Sequence, residues 1–419
     1  RGNAQNLDLN RDFTKCDTRD SKSFTEIFHW LNPDVQLDNH VSDGADYQYT
    51  MTMISTQWNK LGGKTGDFLH EHFGPALNIG MDKAGWPMCP YVNLEEGSLE
   101  KGWQAFMDYP RYSSGYAALF HVISFISETH MLKPFRDRVM ATYAFMNVLI
   151  KSTSDHANQI SRFRKEDIEE DKRKDAFALN WTCDTSIADT ILFSGYESNS
   201  RTSDVSGQPR LYYDRNRPFK KRIPYFDYFR SEKSINPPTA YIIPQGWHDV
   251  IELLKLNGIN IKRLMHDTMI QVQACHIDDY KTFSKAYEKH HKNYDVHVSF
   301  SNQNLGFLKG DYLIPLNQGN KRFLIEMLEP TGDDSYFAWN FFDAILQQKE
   351  GYSDYRWEDV AANYLQSHPE LKTELEEKKE SDPAFANNSK AQLEFIYRKS
   401  PYYEPAHMRY PVYRLLPAR

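Results

Sequence analysis

Apolar and polar residues alternate most densely in the first third of the chain, where the pattern predicts a run of short strands and helices. Leu7 and Leu9 alternate with Asp8 and Asn10, as in a short half-buried strand that delivers Asn10 and Arg11 side by side at its end. Residues 18–31 carry Phe24, Ile27, Phe28 and Leu31 at helical spacing ahead of Pro33. Residues 35–38 read as a second strand leading to His40, with the turn residues Ser42, Asp43 and Gly44 behind it. A further strand is expected over 47–54, a helix broken by Pro75 over 68–77, another helix over 95–107 and a loop over 108–115. The last residues of the apolar segment 116–128 are expected to form a buried strand ending at Glu128, followed by a helix over 135–151.

Near Thr153 the pattern changes, and a domain boundary is expected there. Residues 156–239 read as a charged helix and linker region, with signs mixed at helical spacing over 164–174, the mark of a solvated helix face, and a loop over 195–208. The Tyr-rich stretch 212–229, with Arg215, Arg217, Lys220, Lys221 and Arg222 among its aromatics, fits a structural or linker role. Residues 240–419 resume α/β patterning, with a helix over 247–256, strands over 269–274, 294–300, 310–316 and 323–327, and a helix over 339–349.

Composition narrows the partners. A formal net charge of −7 and an isoelectric point near 6.1 argue against nucleic acid or an anionic membrane, because neither would be attracted electrostatically. The longest apolar run, 116–126, is interrupted by His121 and Ser124 and is too short to span a bilayer. Four cysteines without C-x-x-C spacing suggest neither a disulfide scaffold nor a cysteine metal site.

The chemistry concentrates in a few residues of the first part. Arg11 offers a planar fork that matches a carboxylate, and Asn10 adds a neutral donor beside it. His40 ends a strand where α/β sheets usually bind ligands. Glu128 is expected to be partly buried at a strand end, which raises a carboxylate toward the range useful for proton transfer.

Residues 1–13, R-G-N-A-Q-N-L-D-L-N-R-D-F, taken with His40, resemble the zinc carboxypeptidases of the carboxypeptidase A superfamily. The resemblance implies an α/β fold with a mixed sheet (phosphorylase/hydrolase-like), in which residues 1–155 are the C-terminal part of the catalytic domain and 240–419 a mixed α and β accessory domain. It implies hydrolysis of a C-terminal peptide or peptide-like amide bond. Arg1 would polarise the scissile carbonyl, Asn10 and Arg11 would hold the terminal carboxylate, and His40 would be one of three protein ligands to zinc. Asp8 would support the metal site from behind, Glu128 would be the general base, and Tyr112 is favoured over Tyr109 and Tyr116 as the family's mobile tyrosine. A secreted or periplasmic location follows from the resemblance alone.

In that family the other two zinc ligands come from an H-x-x-E motif upstream of the arginine, and none of the 15 histidines here begins one. The chain is therefore expected to be part of a longer enzyme or a member without its metal. The alternative function is a non-catalytic carboxylate- or peptide-binding protein of the same fold.

Overall fold

The computed structural model describes residues 2–92 and 99–417. Its first sheet has four strands in the order Val35–Ser42, Ile123–His130, Met51–Ser55 and Met88–Pro90. The two outer pairings are parallel and the central one antiparallel, so the sheet is mixed. Every residue of Ile123–His130 is buried, although Ser124, Ser127, Glu128, Thr129 and His130 are polar, so these side chains take partners inside: Ser127 donates to Asn39 Oδ1 at 2.8 Å and Nε2 of His130 meets the Ala45 carbonyl at 2.9 Å.

One face of this sheet is covered by the helices Gly74–Lys83 and Phe135–Asp171. Ala141, Phe145 and Leu149 recur every four residues on the long helix and pack with Leu77, Met81 and Phe125 in one core. On the other side, the helix Arg19–Leu31 is started by the Thr18 hydroxyl, which accepts the Ser21 amide at 3.1 Å, and is closed by Asn32 in the left-handed conformation. Its Phe28 joins Tyr116 and Phe120 in a core that also takes in Tyr241, Ile243, Leu254, Phe323 and Phe337. Residues from 1–155 and from 240–419 thus share one apolar interior.

The second sheet has six strands, Lys262–Arg263, Tyr312–Pro315, Ala240–Ile243, Arg409–Leu415, Thr268–Thr282 and Asn293–Phe307 in that order, with antiparallel pairing throughout. The intervening region forms a long hairpin of Asp189–Thr202 and Pro209–Phe226. Among the described residues, no helix is long and apolar enough to cross a membrane.

Several expected elements take another form. The helix expected to break at Pro75 runs on, through a π turn at Leu69–Phe73 into Gly74–Lys83. Pro75 comes just after that π turn, the local widening at which a continuous helix tolerates a proline. Of the expected helix 95–107, residues 95–98 lie outside the described residues. The rest is a short turn, Leu99–Lys101, and the strand Trp103–Gln104 paired with the hairpin. The expected loop over 195–208 is the distal part of that hairpin. The apolar run 323–327 lies in the helix Lys321–Leu328, since a run of that length fits either a strand or a buried helix. Only the single turn Asp343–Leu346 forms where a helix over 339–349 was expected.

The helix expected over 135–151 continues to Asp171, and only one side of its charged end is a solvated face: Lys165, Glu169 and Glu170 are exposed, and the opposite side is not. Arg164, Asp167 and Asp171 are buried. Arg164 holds Asp34 at 3.0 Å and donates to the Phe120 carbonyl. Asp167 accepts the Lys64 and Thr65 amides at 2.9 and 2.8 Å, capping the helix Gly63–Phe68. Asp171 meets His121 at 3.0 Å. Charge at helical spacing met buried partners here, which the pattern alone does not show.

Candidate functional site

Asp8, Asn10, Arg11, His40, Tyr112 and Glu128 all line one open cavity of about 460 Å³, together with Ile54, Tyr91 and Phe106. Arg1 lies outside the described residues.

The segment carrying Asn10 and Arg11 is a turn rather than the expected strand. Asp8 Oδ1 accepts the Asn10 amide at 2.9 Å and starts the 3-10 turn Leu9–Arg11, so a local side-chain hydrogen bond outcompetes a ladder. Asn10 Oδ1 accepts the Ser113 amide at 2.8 Å. That bond satisfies a free N–H at the start of the helix Ser113–Ala118, which has no side-chain cap of its own. With its oxygen so engaged, the Asn10 amide presents Nδ2 as its donor. Arg11 Nη1 donates to the Asn10 carbonyl at 2.9 Å, and the guanidinium lies 4.6 Å from the centre of the Tyr112 ring. This leaves Nε and the second Nη of Arg11 without a hydrogen bond among the described residues.

Tyr112 is the tyrosine of the three that reaches the cavity. Tyr116 is fully buried and donates to Asn257 at 2.6 Å, whereas Tyr109 lies against Arg111, which is bound to Asp334. Burial pushes the Tyr112 phenol up, against the pull of Arg111 and Arg11. The loop before it is held by Gly115, where a β-carbon would meet the Tyr109 carbonyl oxygen at 2.0 Å.

His40 and Glu128 face each other in parallel register on adjacent strands, with Nδ1 of His40 3.7 Å from Glu128 Oε1. Nε2 of His40 is 2.8 Å from Asp38 Oδ2. Burial pulls the imidazole down, but the hydrogen bond to Asp38 and the nearby charges of Asp38, Glu128 and Asp8 outweigh it and raise the ring above its ordinary value. For Asp38, burial acts upward and the His40 bond prevails, holding the carboxyl below its usual range. Asp38 did not figure among the expected site residues. The signal was present: residues two apart on a strand share a face, so Asp38 and His40 had to point the same way.

A catalytic zinc needs three protein ligands of nitrogen, oxygen or sulfur type. His40 presents one imidazole nitrogen to the cavity, and among the described residues no cluster of three or more His, Cys, Asp and Glu could hold a metal ion. The described donor set does not complete a zinc site. A metal at His40 requires further ligands from outside these residues.

The arrangement defines a mixed α/β protein with one cavity lined by Asn10 and Arg11 and by the paired imidazole and carboxylate of His40 and Glu128. No family profile matches the chain, and no solved structure does. The chain is 21% identical over 352 residues to proteins named carboxypeptidase 2 from Trichophyton tonsurans and Trichophyton equinum, and 21% identical over 365 residues to the one from Trichophyton rubrum. Each match covers 80% of this chain and 62% of the relative, so the chain spans under two thirds of the length of these relatives. The likeness supports a distant, carboxypeptidase-like relation.

Proposed function

We propose that the cavity binds the C-terminal carboxylate of a peptide or peptide-like substrate and belongs to a metallocarboxypeptidase that hydrolyses the terminal amide bond. The observation carrying this reading is that Asn10, Arg11, His40, Tyr112 and Glu128, scattered over more than a hundred positions, line a single cavity. Arg11 donates two N–H groups to the carboxylate, and Asn10 Nδ2 fixes its orientation. Tyr112, stacked on the guanidinium, shields that contact from water. Glu128, 8% exposed, takes a proton from the attacking water and returns it to the leaving amine.

His40 is proposed as one zinc ligand, with Asp38 fixing the ring, and Arg1 as a donor to the scissile carbonyl. No three of the described residues complete a metal site around His40. Mass spectrometry of a peptide incubated with the protein and zinc tests the reading: stepwise loss of single C-terminal residues is expected. Cleavage at internal bonds only would overturn it. Binding without cleavage would favour the carboxylate-binding alternative.

A further inference from the structure

A cavity of about 270 Å³ shares no lining residue with the candidate site. Its walls include Asn180 and Lys233 on the paired strands Phe177–Cys183 and Phe229–Ile235, Lys292 and Asp295, and the loop residues Thr331 and Asp333. Lys292 is 5% exposed, yet its ammonium makes no hydrogen bond and no ion pair among the described residues. The Trp339 ring is centred 5.8 Å from Nζ, at the outer limit of a cation–π contact. Burial pulls the amine down, against the attraction of Asp334 and Asp333. Asp334 is already engaged, because the Arg111 amide and Nε both donate to its Oδ2, at 2.8 and 3.0 Å. A buried ammonium without a bonded partner is costly, and an acceptor entering the cavity would relieve that cost.

Asp333 lines the same cavity. Burial pushes its carboxyl up and the neighbouring charge of Asp334 adds to this, while Lys292, Arg111 and a hydrogen bond with Asn180 pull it down. Lys292 and Asp333 therefore feel each other's charge, but among the described residues no ion pair joins them. The other charges of the cavity are matched. Asp295 Oδ2 accepts from Lys281 Nζ at 2.6 Å, and Glu232 and Lys233, adjacent and exposed, offset one another. One buried ammonium and one carboxylate are left at one cavity, near enough to interact and too far apart to pair.

We propose that this cavity binds a small zwitterion, a free α-amino acid, with its carboxylate on Lys292 and its ammonium on Asp333. A zwitterion of this kind carries both charges on one carbon, so one molecule bridges the two groups. A simple anion would meet the charge of Asp333, and a simple cation that of Lys292. The volume, below the roughly 300–1,000 Å³ of drug-sized sites, suits a ligand of that size. The inference does not depend on the carboxylate-binding reading of the first cavity, since no lining residue is common to the two.

Calorimetric titration of the 419-residue chain with L-alanine, N-acetyl-L-alanine and L-alaninamide tests it, because each derivative removes one of the two charges. Alanine is expected to bind the wild type about tenfold or more tightly than either derivative, a charge-assisted hydrogen bond's worth. Lys292→Met and Asp333→Asn are each expected to lose that preference, and Arg11→Ala to keep it. Lys292→Met is also expected to unfold at a temperature no lower than the wild type, since methionine fills the space without a buried charge. Loss of alanine binding in Arg11→Ala, with Lys292→Met unaffected, would place the amino acid in the first cavity and overturn the proposal. Equal binding of alanine and its derivatives, or no binding of alanine, would overturn it as well. A clear drop in the unfolding temperature of Lys292→Met would mark the ammonium as structural and count against the site.

Discussion

His40 and Glu128 stand opposite each other on adjacent parallel strands, with the imidazole Nδ1 3.7 Å from the carboxylate Oε1. Backbone register places the pair, so neither residue depends on a loop for its position. Sites built on strands are the ones held with precision.

The first prediction concerns Glu128. Glu128→Gln keeps the shape of the side chain and removes its capacity to accept a proton. In a catalytically active preparation, kcat is expected to fall by about a hundredfold or more, with peptide affinity changed by less than about threefold. Steady-state kinetics and equilibrium titration check this together, and unchanged kcat would remove Glu128 from the role of base.

A second prediction follows from Gly115. A β-carbon there would meet the Tyr109 and Asp108 carbonyl oxygens at 2.0 and 2.3 Å, and backbone cannot give way as the end of a side chain can. Gly115→Ala is expected to destabilise the fold by about 1–3 kcal/mol and to displace Tyr112. Urea unfolding measures the first effect, and weakened binding of a peptide with a free carboxylate measures the second.

Asp171 supplies a prediction about acid. Burial acts to raise its carboxyl, but the bond with His121 dominates, and the group titrates below its ordinary range. A depressed folded value stabilises the protein above the unfolded value, near pH 4, and the benefit is lost as pH falls through the folded one. Asp171→Asn is therefore expected to cost about 3 kcal/mol near neutral pH, a gap that narrows below about pH 4. Thermal unfolding across that range shows it, and a gap constant with pH would contradict the assignment.

A fourth prediction concerns association. The strand Val35–Ser42 pairs on one side only among the described residues, and Phe135, Tyr143 and Ile150 stand 73%, 63% and 66% exposed along the helix Phe135–Asp171. Unpaired edges and apolar stripes promote self-association. Light scattering is expected to show concentration-dependent association, reduced by Phe135→Glu together with Ile150→Glu. A monomer at all concentrations would count against it.

What was legible in the sequence was local. The helix Arg19–Leu31 has its cap, spacing and stop within the fifteen residues from Thr18 to Asn32, and the strand of Glu128 is heralded by the apolar run 116–126 that leads into it. The site residues came from a motif, and the cavity gathers those of them that are described. Hidden were features that depend on distant partners. Arg164, Asp167 and Asp171 look like solvent-facing charge until Asp34, the Lys64 amide and His121 are brought to them. Asp227, 99 residues beyond Glu128, is brought to within 3.7 Å of His70 at the end of the long hairpin. The alternation of Leu7 and Leu9 predicts a strand where the turn Leu9–Arg11 forms, because the bond from the Asn10 amide to the Asp8 side chain leaves no trace in hydrophobic alternation.

The central claim is that Arg11 and Asn10 hold a substrate carboxylate. It is tested most directly by calorimetric comparison of one peptide as the free acid and as the amide, with wild type and Arg11→Ala. The account predicts that the acid binds more tightly by about 1.5–3 kcal/mol and that Arg11→Ala erases the difference. Equal affinity for acid and amide in the wild type would contradict it.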